Sequence, residues 1–599
     1  MIEHLLVGKK FGTYADTFLM LGLALITDYA LTKTQQITQL QLIDEGTRYR
    51  IQFKKPINLE PIINLPYANP FPPVCGQKSD RTKLPDETPI FDVVKAGEIR
   101  KLYREYLYQN HGKIETTEET PKPPDPRTQN GAILTSMRHD KNHNDLWLQG
   151  WELREKYGTL IASILQAFSE HNHSTLKSES ERVSELFKQA TGYSLPSLAS
   201  AVKVYLPTAV QGVNRVKADG NKFDPQKTDW LSLWLIANGL FTCGISERVK
   251  ISDRTYDWRV TGLEPKDISL TKYREVLNHL RQYNPPGGGH GIARFDAELV
   301  LKFCQSLLNY HEAIANSQDE DEFDIWEPIN HFVSGFTGTH FGQKGQVYGV
   351  KEVFNLGLPS WIQPTNSNEL VDYHLVLNEH LAVISSLSTE EGHSELLAAY
   401  RDFITSNTIR KFFPFQVSYA DYVIKRLADS KARPPRLLSV FGLNLMTKKE
   451  FSQITQDPSF IRIAKAINQA TVFAGKVQTK KGLIELDWQR NYGLAQQLSS
   501  QSGSKKDFIS AITDFLAKYE HENLRLSERL HGTEKRLMRV WPTKEDLDRL
   551  IELVEEFDTV LVANLLIAYG YAKWTKSEDV GTTDLSANEE TNPGELDNE

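Results

Sequence analysis

Apolar and polar positions change period several times along the chain. From Thr17 to Leu31 the sequence is apolar, follows Lys9 and Lys10 and is bracketed by Asp16 and Asp28, which predicts an amphipathic first helix. Leu40 and Leu42 then alternate with polar residues up to Asp44, Glu45 and Gly46, and Tyr49, Ile51 and Phe53 alternate beyond them. That pattern predicts a hairpin with Arg48, Arg50 and Gln52 on its opposite face. Pro56 to Pro89, rich in proline and asparagine, sustains neither helix nor central strand. A second break, Glu115 to Gln129, carries Pro121, Pro123, Pro124 and Pro126 and reads as an exposed linker.

From Trp147 the period becomes helical, with Leu148, Trp151, Leu153, Tyr157, Leu160, Ile161, Ile164, Leu165 and Phe168 forming the apolar series. Val202 to Val260 mixes a strand-like segment, a basic loop and the apolar run Trp230 to Gly239. An acidic loop, Asp319 to Asp324, and the glycine-rich Gly335 to Gly349 punctuate the chain between Val260 and Pro434. After Pro434 and Pro435 the pattern is almost wholly helical. Phe508, Ile512, Phe515, Leu516 and Tyr519 mark one helix, and Leu547, Leu550, Ile551, Val554, Phe557 and Leu561 mark another, preceded by a capping signature at Thr543 and Asp546. Each stripe needs a partner, which predicts a C-terminal bundle.

The fold class expected is therefore α+β: a mixed, loop-rich N-terminal and central part followed by an all-α bundle. The expected divisions are 1–130, an N-terminal α+β region; 131–433, a mostly helical centre; 434–574, the bundle; and 575–599, an acidic disordered tail.

With 599 residues, 40% of them hydrophobic and 24% charged, the chain has the composition of a multidomain globular protein. Cys75, Cys243 and Cys304 form no C-x-x-C pair, which fits a reducing compartment and predicts a cytoplasmic protein. The late apolar run Val560 to Ala568 is too short to span a bilayer, and no membrane partner is expected. The net charge of −8 conceals an uneven layout: Met446 to Trp541 holds 16 Lys/Arg against 10 Asp/Glu, while Thr575 to Glu599 holds eight acids and one lysine.

Neither a P-loop, nor a G-x-G-x-x-G, nor H-E-x-x-H, nor G-x-S-x-G occurs, so several enzyme classes lose support and no cofactor is implied. Four segments carry candidate chemistry. In M-R-H-D-K-N-H-N-D, His139 and His143 would share a helix face beside Asp140, an arrangement that suits a metal-dependent nuclease or phosphohydrolase. The same segment reads equally as a solvated loop, or as a nucleic-acid contact through Arg138, Lys141, Asn142 and Asn144.

In N-P-P-G-G-G-H-G, Gly287, Gly288 and Gly289 let backbone approach a ligand and expose N–H donors, flanked by Arg281, Gln282 and Arg294; a plain surface loop is the alternative. Asn214, Arg215, Lys217, Asn221 and Lys222 crowd one short stretch suited to phosphates and base edges, or to solvent alone. Last, Arg525, Arg529, Arg536 and Arg539, with Lys518 and Lys535, would form a basic stripe for a single strand, although interleaved glutamates also fit a salt-bridged helix surface.

The segment T-Y-A-D-T-F-L-M-L-G-L-A-L (Thr13 to Leu25), the long loop-rich centre and the basic C-terminal helices together resemble the large subunit of type I CRISPR Cascade complexes, the I-B group above all. The resemblance is one of architecture and sequence character over most of the chain and includes no diagnostic motif. It implies a non-catalytic protein of antiviral defence that contacts the crRNA 5′ end, reads a protospacer-adjacent motif in duplex DNA and helps unwinding, with sequence discrimination left to guide pairing. The partners implied are crRNA, target double-stranded DNA, the backbone, handle-capping and small subunits of Cascade, and a helicase-nuclease or a transposition recruitment factor. It also implies that a small subunit can arise from an internal start, for which Met446 stands before the basic helices.

Overall fold

Residues 1–574 are described by a computed structural model, apart from 77–83, 87, 111–119, 140, 170–176, 208–226, 318–326, 345–346, 390–391, 430, 475, 480–481, 486–489, 534–535 and 538. The chain divides into two units, Met1–Phe415 and Gln416–Glu599. The architecture is α+β, as the alternating and helical periods require.

In the first unit the elements that matter are β1 (Ile2–Gly8), α1 (Tyr14–Lys33), β2 (Leu40–Asp44), β3 (Arg48–Ile57), α2 (Val93–Gln109), α3 (Gly131–His139), α4 (Lys141–Glu152), α5 (Tyr157–Ser169) and α6 (Trp230–Cys243). They are followed by β4 (Ile245–Ser252), β5 (Thr255–Pro265), β6 (Asp267–Ser269), α7 (Leu270–Tyr283), α8 (Ile292–Ser317), β7 (Val333–Lys344) and β8 (Val347–Leu356). Two four-stranded sheets result, in the orders β1-β3-β2-β6 and β8-β7-β5-β4.

The predicted hairpin is present: Leu42 pairs with Ile51 and Asp44 with Tyr49. The first helix departs from expectation, because it is buried around its circumference rather than amphipathic. It starts where Thr13 caps Ala15 N–H and where the Asp16 carboxylate collects the N–H groups of Lys10, Phe11 and Gly12. Among the described residues it is the one helix long and apolar enough to cross a membrane, and 78% of its apolar window lies inside the protein. It crosses α6 backbone to backbone: a Cβ on Gly22 would lie 2.0 Å from the Leu235 carbonyl oxygen, and one on Gly239 would lie 2.1 Å from that of Phe18. Asn238 donates to Gly22 O at 3.1 Å across the crossing. Thr17 reaches Tyr49 on β3, and the Phe18 ring covers Gly262 on β5, so α1 touches both sheets.

Three further expectations change. The expected boundary at 130/131 runs through the first unit, since β6 pairs with β2 and α6 packs on α1. The apolar series from Trp147 to Phe168 is split between α4 and α5 by the turn Arg154–Lys156. The glycine-rich Gly335 to Gly349, expected only to punctuate the chain, has its described residues in the paired strands β7 and β8, where Gly338 leaves room for the Phe354 ring and Thr261 of neighbouring strands.

The second unit begins at Gln416, ahead of the expected 434, and contains α9 (Val440–Thr447), α10 (Pro458–Ala470), β9 (Lys476–Thr479), β10 (Gly482–Glu485), α11 (Lys505–Leu530), β11 (Arg536–Leu537), α12 (Lys544–Glu556) and α13 (Thr559–Gly570). It is not wholly helical: β10, β9 and β11 form a three-stranded sheet. The capping box at Thr543 and Asp546 is present, but the apolar stripe expected to run on to Leu561 breaks at Phe557, where Asp558 caps a new helix. Met446 is 5% exposed within α9, whose entry is tied to the C-terminal end of the unit by Val440 N–H donating to Lys573 O. A product starting at Met446 would therefore begin inside a packed helix. The tail 575–599 lies outside the described residues.

Candidate nucleic-acid interface

The glycine loop joins α7 to α8 and is held at several points, one of them a carboxylate. Glu298, on the first turns of α8, accepts from Gly287 N–H at 3.0 Å and from Arg294 Nε at 2.7 Å and lies 3.5 Å from Lys302 Nζ. Burial pushes its pKa up, but the charge of Lys302 and the hydrogen bonds from Arg294 and Gly287 outweigh that and hold it below the ordinary carboxylate range. Lys302 also donates to Pro285 O at 2.8 Å, and Lys250 N–H of β4 donates to Gly288 O at 2.9 Å.

The three glycines consequently differ. Gly288 is buried against β4, and a Cβ there would fall 1.8 Å from Arg248 O; Gly289 is exposed with nothing within 4 Å, and Gly287 is exposed with only Glu298 near. Two of the three are thus exposed, Gly287 with its N–H taken by Glu298, and the middle one is a packing residue. The flanking arginines are corrected as well. Arg294 is 11% exposed and held in its ion pair, and Arg281 is buried, donating to the Thr242 and Gly244 carbonyls at the end of α6. Gln282 is partly exposed beside them.

The cations that surround this loop come from elsewhere. Arg248 is exposed and stacks over Tyr256 and Trp258, with its guanidinium 4.8 and 5.5 Å from the ring centroids. Arg104 is exposed on α2, and its positive charge acts on Arg100 and on Lys302. Burial lowers the pKa of Lys302, and the charges of Arg294 and Arg104 add to that. Tyr283, 41% exposed, stands at the C-terminal end of α7, where the loop begins. Helical spacing in R-K-L-Y-R (Arg100 to Arg104) and alternation at Arg248 and Lys250 were the available signals for these residues. Only the fold brings α2, β4 and the loop together.

The histidine segment is divided between two helices. His139 ends α3 and His143 lies in α4, so the two belong to separate helices, and the described residues on either side of position 140 are helical rather than in a loop. His143 is fully buried, bonded through Nδ1 to the Tyr205 hydroxyl and packed on Phe71; burial lowers its pKa to about 4, which keeps it neutral. Arg138 rests its guanidinium against Gly76, and Asn142 and Asn144 are half-buried. Asp140 and the side chains of His139 and Lys141 lie outside the described residues. Among the described residues no three His, Cys, Asp or Glu side chains converge on one point.

Asn214, Arg215, Lys217, Asn221 and Lys222 also lie outside the described residues. The ends of that segment are held side by side, because Leu198–Ser200 pairs antiparallel with Lys227–Asp229. In the second unit the predicted stripe is broken. Arg525 and Arg529 are exposed on α11, and Arg536 stands in β11. Arg539 has a side chain 1% exposed, 4.1 Å over the Tyr519 ring and 3.4 Å from Glu522, so it is part of the core.

No family model matches the chain, and no curated protein is similar to it.

Proposed function

We propose that the protein is the non-catalytic large subunit of a crRNA-guided type I CRISPR effector complex, acting in the cytoplasm, and that its α7–α8 loop contacts target duplex beside the adjacent motif. The observation that carries the contact is the loop surface: solvent-facing backbone at Gly289, beside exposed Gly287 whose own N–H is taken by Glu298, with exposed Arg104 and Arg248 around it. Backbone N–H groups and stacked arginine suit phosphates and groove edges, and neither requires a reacting group. The wider assignment rests on the sequence resemblance. In that role guide pairing reads the sequence and the protein reads duplex shape and a short motif.

The assignment is tested by purifying the tagged full-length chain from its host with its partners and sequencing the co-purifying RNA. RNAs sharing a repeat-derived 5′ handle are the expected result; absence of any such RNA from the assembly overturns it. The loop has its own test. Because Gly288 is packed against β4, the useful variant is G287A/G289A, which should weaken binding of intact duplex more than of a target opened in advance. Equal loss on both removes the loop from DNA opening.

A further inference from the structure

A cavity of about 280 Å³ lies at the C-terminal end of α6, lined by Asp125, Arg127, Thr242, Cys243, Arg274 and Arg281 among others. Its most enclosed charge is Arg281, 4% exposed. That guanidinium donates to Thr242 O at 2.7 Å, to Gly244 O at 3.3 Å and to Asn278 Oδ1 at 2.8 Å, all of them neutral acceptors, and its buried Nε has no hydrogen-bond partner. Among the described residues no carboxylate stands within ion-pair distance of it. Asp125, the acid in the cavity wall, is instead engaged by Arg127, whose Nε lies 2.9 and 3.0 Å from its two oxygens. Arg274 adds a third guanidinium, 46% exposed and 3.0 Å from Asp28.

Buried charges are ordinarily paired, because desolvation without a counter-charge costs several kcal/mol. The end of α6 offers Arg281 its carbonyls and roughly half a negative charge from the helix dipole, which leaves the guanidinium undercompensated. Cys243 does not supply the missing charge, since burial pushes its thiol up to about 11 and keeps it protonated. Three arginines therefore border one small cavity: Arg127 holds Asp125, whose charge also reaches Arg281, Arg274 is paired with Asp28, and Arg281 has no ion pair of its own.

We propose that this cavity is a phosphate-binding site, in which Arg281 and Arg274 grip the oxygens of one phosphate group and Arg127 borders it. Planar guanidinium forks match phosphate oxygens bidentately, and the cavity is at the small end of the roughly 300–1,000 Å³ of ligand pockets, which suits one phosphate group. The inference stands on unit-one geometry alone and does not depend on the loop's contact with DNA. A phosphate of a nucleic acid and a free phosphorylated compound present the same chemistry to it.

The test uses the full chain and inorganic phosphate, with chloride at matched ionic strength as the control. Phosphate should raise the wild-type melting temperature beyond chloride. R274Q, changed at a half-exposed position, should bind phosphate at least about tenfold more weakly, R274K should recover part of the loss, and R410Q, an exposed cation elsewhere in the same unit, should bind as wild type. Competition by a 5′-hydroxyl oligonucleotide identifies a backbone phosphate as the source, and competition only by its 5′-phosphorylated form identifies a terminal one. Binding of inorganic phosphate unopposed by either identifies a free compound. No phosphate effect beyond chloride in the wild type, or equal affinity in wild type and R274Q, overturns the proposal.

Discussion

Gly22 and Gly239 lie where two buried helices meet backbone to backbone, whereas Gly287 and Gly289 lie where the chain faces water. A Cβ on Gly22 would stand 2.0 Å from a carbonyl oxygen, and one on Gly289 would meet nothing within 4 Å. The same residue type thus lets two helices approach in one region and leaves backbone uncovered in the other. Gly288, in contact with Arg248 O, belongs physically with the first pair although it stands in sequence with the second. A run of three glycines is therefore not one functional element, and its middle member reports on folding rather than on binding.

This contrast is sharpest where the effect is largest. G22A places a methyl group inside the α1–α6 crossing and should destabilise the first unit by about 3 kcal/mol. A denaturant midpoint unchanged from wild type would show that the two helices separate easily.

A comparable effect comes from pH, through the buried histidine that the sequence offered as a metal ligand. Burial lowers the pKa of His143 from 6.5 to about 4. The unfolded chain therefore takes up this proton before the folded one does, so the contribution is fully present above pH 6.5 and is lost as pH falls toward about 4. At roughly 1.4 kcal/mol per pKa unit its size is on the order of 3 kcal/mol. His380 and His311, each lowered to about 3 by burial, steepen the same fall. H143F should lessen the loss of stability between pH 6.5 and 4, at a cost at neutral pH from the hydrogen bond to the Tyr205 hydroxyl that it removes. An unaltered pH profile would place His143 in contact with solvent.

Smaller effects separate the loop glycines. G288A should cost about 1–2 kcal/mol as β4 yields to the added methyl, while G289A should leave stability within about 0.5 kcal/mol of wild type, as surface changes usually do. Equal midpoints for the two variants would erase the difference between packed and exposed glycine.

Local patterns were legible in the sequence where local chemistry decides the outcome. Tyr49, Ile51 and Phe53 alternate because one sheet face is buried, and Thr543 with Asp546 caps a helix whatever surrounds it. Tertiary contacts were not legible. Nothing local shows that Arg281 and Arg539 are buried, because each is stabilised by groups distant in sequence: carbonyls at the end of α6 for one, Tyr519 and Glu522 for the other. Gly338 reads only as part of a glycine-rich punctuation until Phe354 is paired opposite it. For the same reason the candidate surface was found only by its loop, and Arg104 and Arg248 joined it once α2 and β4 were in place.

The most direct test of that surface is the salt dependence of duplex binding by R104Q/R248Q/K250Q, compared with wild type at matched folding stability. Each phosphate contact contributes about 0.9 to the slope of log K against log salt. The account predicts a slope shallower by between one and three contacts, with affinity lowered alike for every duplex sequence. An unchanged slope in a variant that folds as wild type does would contradict it.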